Sequence, residues 1–502
     1  MNPFLKALED ANVKTVFGIP GKRILEMYDL LLDSNIKNIL TRHEQGAVHA
    51  CDGYARVSGS PGTCIATAGP GALNLTMGVA NAKKDNIPVV AITGVDDVST
   101  NLFRNITKKS VILENNVYET VLSCYEFSLK DCPGPVHIAV PEDVLKKKED
   151  VKRRKFHVSR RKPDENLIRK LAERIENSSN PMILAGSGIL WSNACKELVK
   201  LAESISIPVA TSMMARGVIP EDHPLSLGVM GKRGNKKANE MLKETDLLII
   251  IGCSASPLTI DLEDIDAEVV RIDVKKNSSR VLADMEIIGD AKLVLLGLLK
   301  YDINKKIGIK KDKEDLEGHK GFTSKSICKT VHDTLGKKGI TVYDIGSFTV
   351  WGCMLSKVYR PRSFIVPGNF TPMGFSVPAS IGVQIAMPHE LVVSIVGDGG
   401  FMMSSSELAT IKQYEIPIKI VLINNSSLEL IGQFQERIYG RTTSINLRNP
   451  DFTKLANSYG INGERVDDIP SLNEVLNETI RIREPFLIEC IVREEEQIPD
   501  LI

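Results

Sequence analysis

The chain of 502 residues has no excess of charge of either sign, because 63 Lys and Arg balance 63 Asp and Glu. A nucleic-acid or anionic-membrane binder usually carries a basic surplus, so neither partner class is expected. Long hydrophobic runs are also missing. The most apolar stretches, Leu247–Cys253 and Leu391–Val396, stop far short of the ~20 residues a bilayer needs. Glu9 and Asp10 interrupt the N-terminal segment before a signal-peptide core could form, so a cytoplasmic location is expected. The nine cysteines include no CxxC pair and are odd in number, as in reduced core residues. The eight histidines show no ligand spacing, which argues against zinc and leaves a hard, oxygen-bound cation as the metal to seek. At 43% hydrophobic and 25% charged, the chain is not mostly disordered. Its length suits roughly three domains of ~150 residues.

What is present is alternation. Short apolar runs recur between amphipathic helical stretches: Val13–Gly18, Gly62–Ala68, Val89–Gly94, Met182–Ala185, Leu247–Gly252, Val269–Asp273, Leu391–Val396 and Ile418–Ile423. This is the pattern of an α/β protein with doubly wound parallel sheets. Two charged stretches interrupt it. Lys146–Pro163 holds ten basic residues against two acidic, and Tyr301–Gly321 is rich in Lys, Asp and Gly. Three domains follow, at 1–150, 164–300 and 322–502. The basic stretch lacks a series of interleaved aromatics and reads as a solvated connector rather than an RNA or lipid patch.

The outer domains echo each other. TAGPG at 67–71 and VGDGG at 396–400 each follow an apolar strand, and Ile87-Pro88 and Ile416-Pro417 each open the next one. One offset of 329 residues relates Gly71 to Gly400 and Ile87 to Ile416, and also Ala50 to Ala379, Gly53 to Gly382, and Glu44 to Met373. A duplicated doubly wound domain accounts for this, each copy keeping a ligand-facing turn.

Gly397-Asp398-Gly399, with Gly400 behind it, lies between a strand and a helical stretch. A glycine-rich turn there lets backbone N–H groups approach phosphate, and the carboxylate of Asp398 suits Mg2+. Asn424-Asn425 ends the following strand, with 24 residues in between. Successive parallel strands joined by right-handed crossovers end on the same sheet edge. Asp398 and Asn425 can then share one ion, completed by a main-chain carbonyl near Ser427 and diphosphate oxygens.

These residues resemble the thiamine-diphosphate enzyme family, whose signature is GDG, such a spacer and NN. The resemblance covers nearly the whole chain and is strongest to the acetolactate synthase large-subunit branch. VFGIPG at 16–21 contributes Pro20 and Gly21, followed by RHEQGAVHACDGYAR at 42–56, TAGPGALN at 67–74, GPVHIAVPEDV at 134–144 and MGFSVPASIG at 373–382. It implies that Glu44 hydrogen-bonds the aminopyrimidine of thiamine diphosphate and favours the tautomer that takes the thiazolium C2 proton. It implies further that Pro70 and Asn74 flank the pyrimidine, and that Met373 wedges between the two rings. A cofactor shared across subunits is implied too, hence a homodimer or homotetramer with its active site at the interface.

The chain also departs from the family. Where acetolactate synthases carry a Phe-Gln-Glu segment, it reads Leu102-Phe103-Arg104-Asn105, and the pocket tryptophan of many members is Phe434. Arg104 can grip a carboxylate bidentately, which leaves the acceptor open. The middle domain resembles the family's FAD-binding domain through PMILAGSGIL at 181–190, which contains Gly186-Ser187-Gly188, and SLGVMGKRGN at 226–235. The arginine expected after the Leu247 strand is replaced by Gly252-Cys253-Ser254-Ala255-Ser256-Pro257, which weighs against FAD without excluding it. No His-His dipeptide occurs, which favours carboligation over aldehyde release. The expected activity is condensation of two pyruvates, as 2-oxoacid substrate, to 2-acetolactate. The alternatives are another 2-oxoacid decarboxylase or lyase of the family, or a non-catalytic cofactor-binding paralogue.

Overall fold

In the computed structural model, residues 2–146, 149–232, 234–276, 279–303 and 321–499 are described. All eight predicted runs form strands within two residues of their expected ends, and Val89–Gly94 matches to the residue. Residues 304–320 of the predicted second linker, Tyr301–Gly321, lie outside the described residues.

Three six-stranded parallel sheets result. The first comprises β1 (Thr15–Gly18), β2 (Lys37–Leu40), β3 (Gly62–Ala66), β4 (Val89–Gly94), β5 (Lys109–Ile112) and β6 (Val136–Val140), in the order β2-β1-β3-β4-β6-β5. The second comprises β7 (Pro181–Ala185), β8 (Val209–Thr211), β9 (Ser226–Val229), β10 (Leu247–Ile251), β11 (Glu268–Asp273) and β12 (Met285–Ile288), in the order β12-β11-β10-β7-β8-β9. The third comprises β13 (Ile340–Tyr343), β14 (Phe364–Ile365), β15 (Val392–Gly397), β16 (Lys419–Asn424), β17 (Asn462–Val466) and β18 (Phe486–Ile491), in the order β14-β13-β15-β16-β18-β17. Central strands such as β4 and β10 are buried throughout because helices cover both faces of a parallel sheet.

The first and third sheets follow one permutation, and Gly71 and Gly400 both come just after its third strand. The duplication extends to packing. Helix Glu44–Ser58 of the first sheet crosses helix Ser376–Ala386 of the third, backbone on backbone. A Cβ on Gly53 would stand 2.2 Å from the Ala379 carbonyl oxygen, and one on Gly382 would stand 1.8 Å from that of Ala50. Each glycine thus meets the counterpart of its own partner, as at a two-fold contact between identical copies.

Two compact units emerge. One holds Met1–Ser159, Lys338–Gly346 and Ile365–Glu494; the other holds Arg160–Lys337, Ser347–Phe364 and Glu495–Ile502. The basic stretch differs from a freely solvated connector. Arg153 pairs with Asp10, and Arg154 with Glu119 and Glu126. The Glu149 carboxylate accepts the Val117 N–H at 2.7 Å, while Val151 and Phe156 pack on the first core. Acidic partners pair with two of its arginines, and two apolar side chains anchor it. Among the described residues no helix is long and apolar enough to cross a membrane.

Candidate active site

In a doubly wound sheet the ligand crevice opens at the strand ends where the order reverses. In the first sheet this lies between β1 and β3, and in the third between β13 and β15.

After β1 the chain turns through Pro20 and Gly21. A Cβ on Gly21 would lie 2.5 Å from the Cβ of Thr67, so glycine there lets the loop after β1 touch the loop after β3. Gly69 adopts a left-handed φ of +68° with open space beside it, and Pro70 then starts helix Pro70–Asp85 where no N–H is required. Glu44 is the first residue of helix Glu44–Ser58, whose N-terminus is capped by the His43 ring accepting the Gln45 N–H at 3.1 Å. Asn74 donates its side-chain N–H to Oε2 of Glu44 at 2.9 Å. Oε1 lies 3.0 Å from where a Gly71 Cβ would be, so glycine at 71 keeps that carboxylate oxygen clear. Gly21, Glu44, Gly71 and Asn74 therefore form one group, with Pro20 and Pro70 beside it in the chain.

The second group surrounds Asp398, the first residue after β15. It is 2% exposed. Its Oδ1 accepts the Gly399 N–H at 2.8 Å, and its Oδ2 accepts the Ser426 N–H at 2.7 Å and the Asn449 side-chain N–H at 2.8 Å. Burial pushes its carboxyl pKa up, against the opposing pull of these bonds. Asn449 also donates to Oδ1 of Asn424 at 2.9 Å, tying the end of β16 to that of β15. Oδ1 of Asn425 accepts the Ser427 N–H at 3.1 Å. Between them Ser426 holds a left-handed φ of +55°, a conformation that non-glycine residues keep only where the surroundings enforce it. The Ser427 hydroxyl is buried and has no hydrogen-bond partner among the described residues. The Met373 Cε lies 3.2 Å from where a Gly399 Cβ would be, which places it over the GDG turn.

Glu44 and Asp398 are joined by no hydrogen bond or ion pair among the described residues. Arg104 is exposed on helix Asp97–Ile106, and Phe434 is half-buried on helix Glu429–Tyr439. No described interaction joins these two to either group.

Sequence reasoning missed three residues. Asn449 carried no signal beyond the turn-forming Asn449-Pro450 pair. Asp344 follows β13 directly and accepts the N–H groups of Gly374 at 3.0 Å and Ser376 at 2.8 Å; its place at a strand end on the GDG edge was the available clue. Glu407 accepts the N–H groups of Arg42 and His43, each at 3.0 Å, and lies 365 and 364 residues away, where no local pattern reaches.

The second sheet has the dinucleotide-binding strand order, reversing between β7 and β10. Its crevice is closed by backbone. A Cβ on Gly186 would meet the Gly252 oxygen at 2.1 Å, and one on Gly188 the Gly252 Cα at 2.7 Å. Their N–H groups donate to Ile251 O at 2.8 Å and Gly252 O at 3.0 Å. Loop packing accounts for both glycines, and these two amides fit a flavin phosphate poorly.

The fold and the paired strand-end groups define a three-domain cofactor enzyme, and comparison with known proteins names the class. Residues 2–111 match the thiamine pyrophosphate enzyme N-terminal TPP binding domain, 168–298 the central domain and 344–490 the C-terminal TPP binding domain. The chain belongs to the thiamine pyrophosphate (thiamine diphosphate) enzyme family. It is 39% identical to a probable acetolactate synthase large subunit of Methanocaldococcus jannaschii, covering 99% of this chain and 92% of that one. It is 31% identical to the acetolactate synthase isozyme 2 large subunit of Escherichia coli, covering 99% and 96%. To the acetolactate synthase of Mycobacterium bovis it is 32% identical, covering 98% and 88%. It is a thiamine-diphosphate-dependent enzyme of the acetolactate synthase type.

The residues fit that cofactor. Asp398, Asn425 and the main chain at Ser427 offer only oxygen donors, as a diphosphate-bound hard cation requires. Glu44 has one oxygen held by Asn74 and the other clear, as a carboxylate facing a ring nitrogen requires.

Proposed function

We propose that the enzyme requires Mg2+ and condenses two pyruvates to 2-acetolactate, releasing one CO2 and taking up one proton. The observation that carries this reading is the pairing of an oxygen-only cluster around Asp398 with a half-engaged carboxylate, Glu44, at matching ends of duplicated sheets. When bound, thiamine diphosphate supplies the carbon nucleophile and electron sink that loss of CO2 from a 2-oxoacid requires. The chain's residues do the remaining work. Asp398 and Asn425 hold the cation through side-chain oxygens and Ser427 through its carbonyl, while Gly397, Gly399 and Gly400 admit the diphosphate against the backbone. Glu44 holds and passes the pyrimidine proton. Pro20, Gly21, Pro70 and Asn74 shape its surroundings, and Met373 enforces the ring geometry by its bulk. Arg104 and Phe434 are assigned to the acceptor substrate, as carboxylate partner and aromatic wall.

In this reading the domains at 1–150 and 322–502 carry the pyrimidine and diphosphate ends, and 164–300 is structural. A second copy of the chain completes each site. One fact supports a multimeric enzyme: relatives carry the name large subunit. The test is incubation with thiamine diphosphate, Mg2+ and a panel of 2-oxoacids. Chiral acetohydroxyacid from pyruvate is expected. Free aldehyde as sole product would refute carboligation, and no consumption would refute catalysis on these substrates.

A further inference from the structure

The 329-residue offset that relates Glu44 to Met373 relates two further pairs of residues, and these touch crosswise. Asp85 ends helix Pro70–Asp85, which follows the glycine turn of the first sheet. Its counterpart, Tyr414, is the C-terminal cap of helix Leu408–Gln413, which follows the turn of the third. Leu40 lies four residues before Glu44; its counterpart, Asn369, lies four before Met373. The Leu40 N–H donates to the Tyr414 hydroxyl at 2.8 Å, and the Asn369 N–H donates to the Asp85 carboxylate, also at 2.8 Å. One contact has been made twice, with the side chains exchanged. The residue closing each copy's post-turn helix holds the backbone that leads to the other copy's cofactor-facing residue.

Each contact is reinforced. Tyr414 also donates to Asn38 O at 3.3 Å, and Glu407 accepts the next free amides, those of Arg42 and His43. Asp85 also accepts the Gly368 N–H at 2.8 Å and pairs with buried Arg56, which donates to Val366 O at 3.1 Å. A buried carboxylate and a tyrosine differ in charge and size, yet they meet the same backbone donor. Filling space alone imposes no such match, because it asks nothing of a side chain's hydrogen-bonding groups.

We infer that Asp85 and Tyr414 are positioning residues acting crosswise: Tyr414, in the diphosphate-binding copy, sets Glu44, and Asp85, in the pyrimidine-binding copy, sets Met373. The inference rests on the reading that Glu44 and Met373 face the cofactor, so the test has two stages.

The first stage is amide hydrogen exchange on the full chain without cofactor. Tyr414→Phe should speed exchange roughly tenfold at Leu40, Arg42 and His43 while leaving 368–376 unchanged. Asp85→Asn should do the reverse, loosening Gly368, Asn369, Gly374 and Ser376 and sparing 40–43. Loosening confined to the mutated residue's own copy, or equal in both segments, overturns the inference. If Asp85→Asn does not fold, Tyr414→Phe alone decides.

The second stage reads the circular-dichroism band of the bound aminopyrimidine. Tyr414→Phe should move it in the same direction as Glu44→Gln, with affinity for Mg2+ and inorganic pyrophosphate within about threefold of the parent. A band unmoved by Tyr414→Phe but moved by Glu44→Gln overturns the positioning role. A band unmoved by Glu44→Gln itself, beside a crossed exchange pattern, refutes the assignment of Glu44 and supports the clamp as a structural element.

Discussion

Alanine at Gly53 tests the backbone contact on which the duplicated sheets are joined. In a helix interior, Gly→Ala normally stabilises by about 1 kcal/mol, because alanine loses less entropy on folding. Here the new methyl would sit 2.2 Å from the Ala379 carbonyl oxygen, with the Ala379 Cα and carbonyl carbon also within 3.0 Å. All three are backbone atoms of helix Ser376–Ala386, so no rotamer change relieves them, and the helices must separate by about 1 Å. Overpacking of this kind costs roughly 1–3 kcal/mol and more where backbone must move. Set against the propensity gain, Gly53→Ala should lose about 2 kcal/mol net. At about 2.1 cal/mol/K per residue over a unit of about 300 residues, the melting temperature should fall by about 3 °C. Gly382→Ala, at 1.8 Å from Ala50 O, should cost at least as much. Gly297→Ala is the control: its methyl meets Ile168 Cδ1 at 2.7 Å, the flexible end of a side chain, and it should be near neutral. A rise in melting temperature for Gly53→Ala would refute the contact.

Other expectations follow from the same geometry. Gly71→Ala places a methyl 3.0 Å from Glu44 Oε1 and 2.9 Å from Thr67, so kcat should fall about tenfold or more with thermal stability almost unchanged; unaltered turnover would remove Glu44 from the chemistry. Asn449→Ala deletes the bond that steadies Asp398, and should weaken Mg2+-dependent cofactor retention roughly tenfold by equilibrium dialysis. Burial holds the His49, His137 and His332 imidazoles down at about 3. Their unfolded forms take up protons below about pH 6.5 while the folded ones do not. The stability they confer is therefore complete above that pH and is lost as pH falls toward 3, by up to about 1.4 kcal/mol per unit for each. His49→Leu should reduce the acid slope of urea unfolding by that amount; an unchanged slope would show that His49 does not titrate between the two states.

Much of the fold was legible because its signals are local. Apolar runs such as Leu247–Ile251 mark strands buried on both faces, and the GDG turn announces a strand end. The 329-residue offset even pointed to Ala50, Gly53, Ala379 and Gly382, which meet at the helix crossing. What stayed hidden depends on chain segments meeting across tens to hundreds of residues. Asn449 binds Asp398 from a loop 51 residues on, and Tyr414 reaches Leu40 across 374. Neither has a sequence period or a motif of its own. The basic stretch at 146–163 misled for a related reason: composition counts charges but does not show that Asp10, Glu119 and Glu126 lie within reach of them.

The most direct measurement is calorimetric titration of thiamine diphosphate with Mg2+ into the parent enzyme and into Asp398→Ala. Saturable, Mg2+-dependent heat in the parent that disappears in the variant is the predicted result. No heat of binding in the parent at millimolar cofactor, or equal heats in both proteins, would contradict the assignment of the ion and diphosphate to the turn after β15.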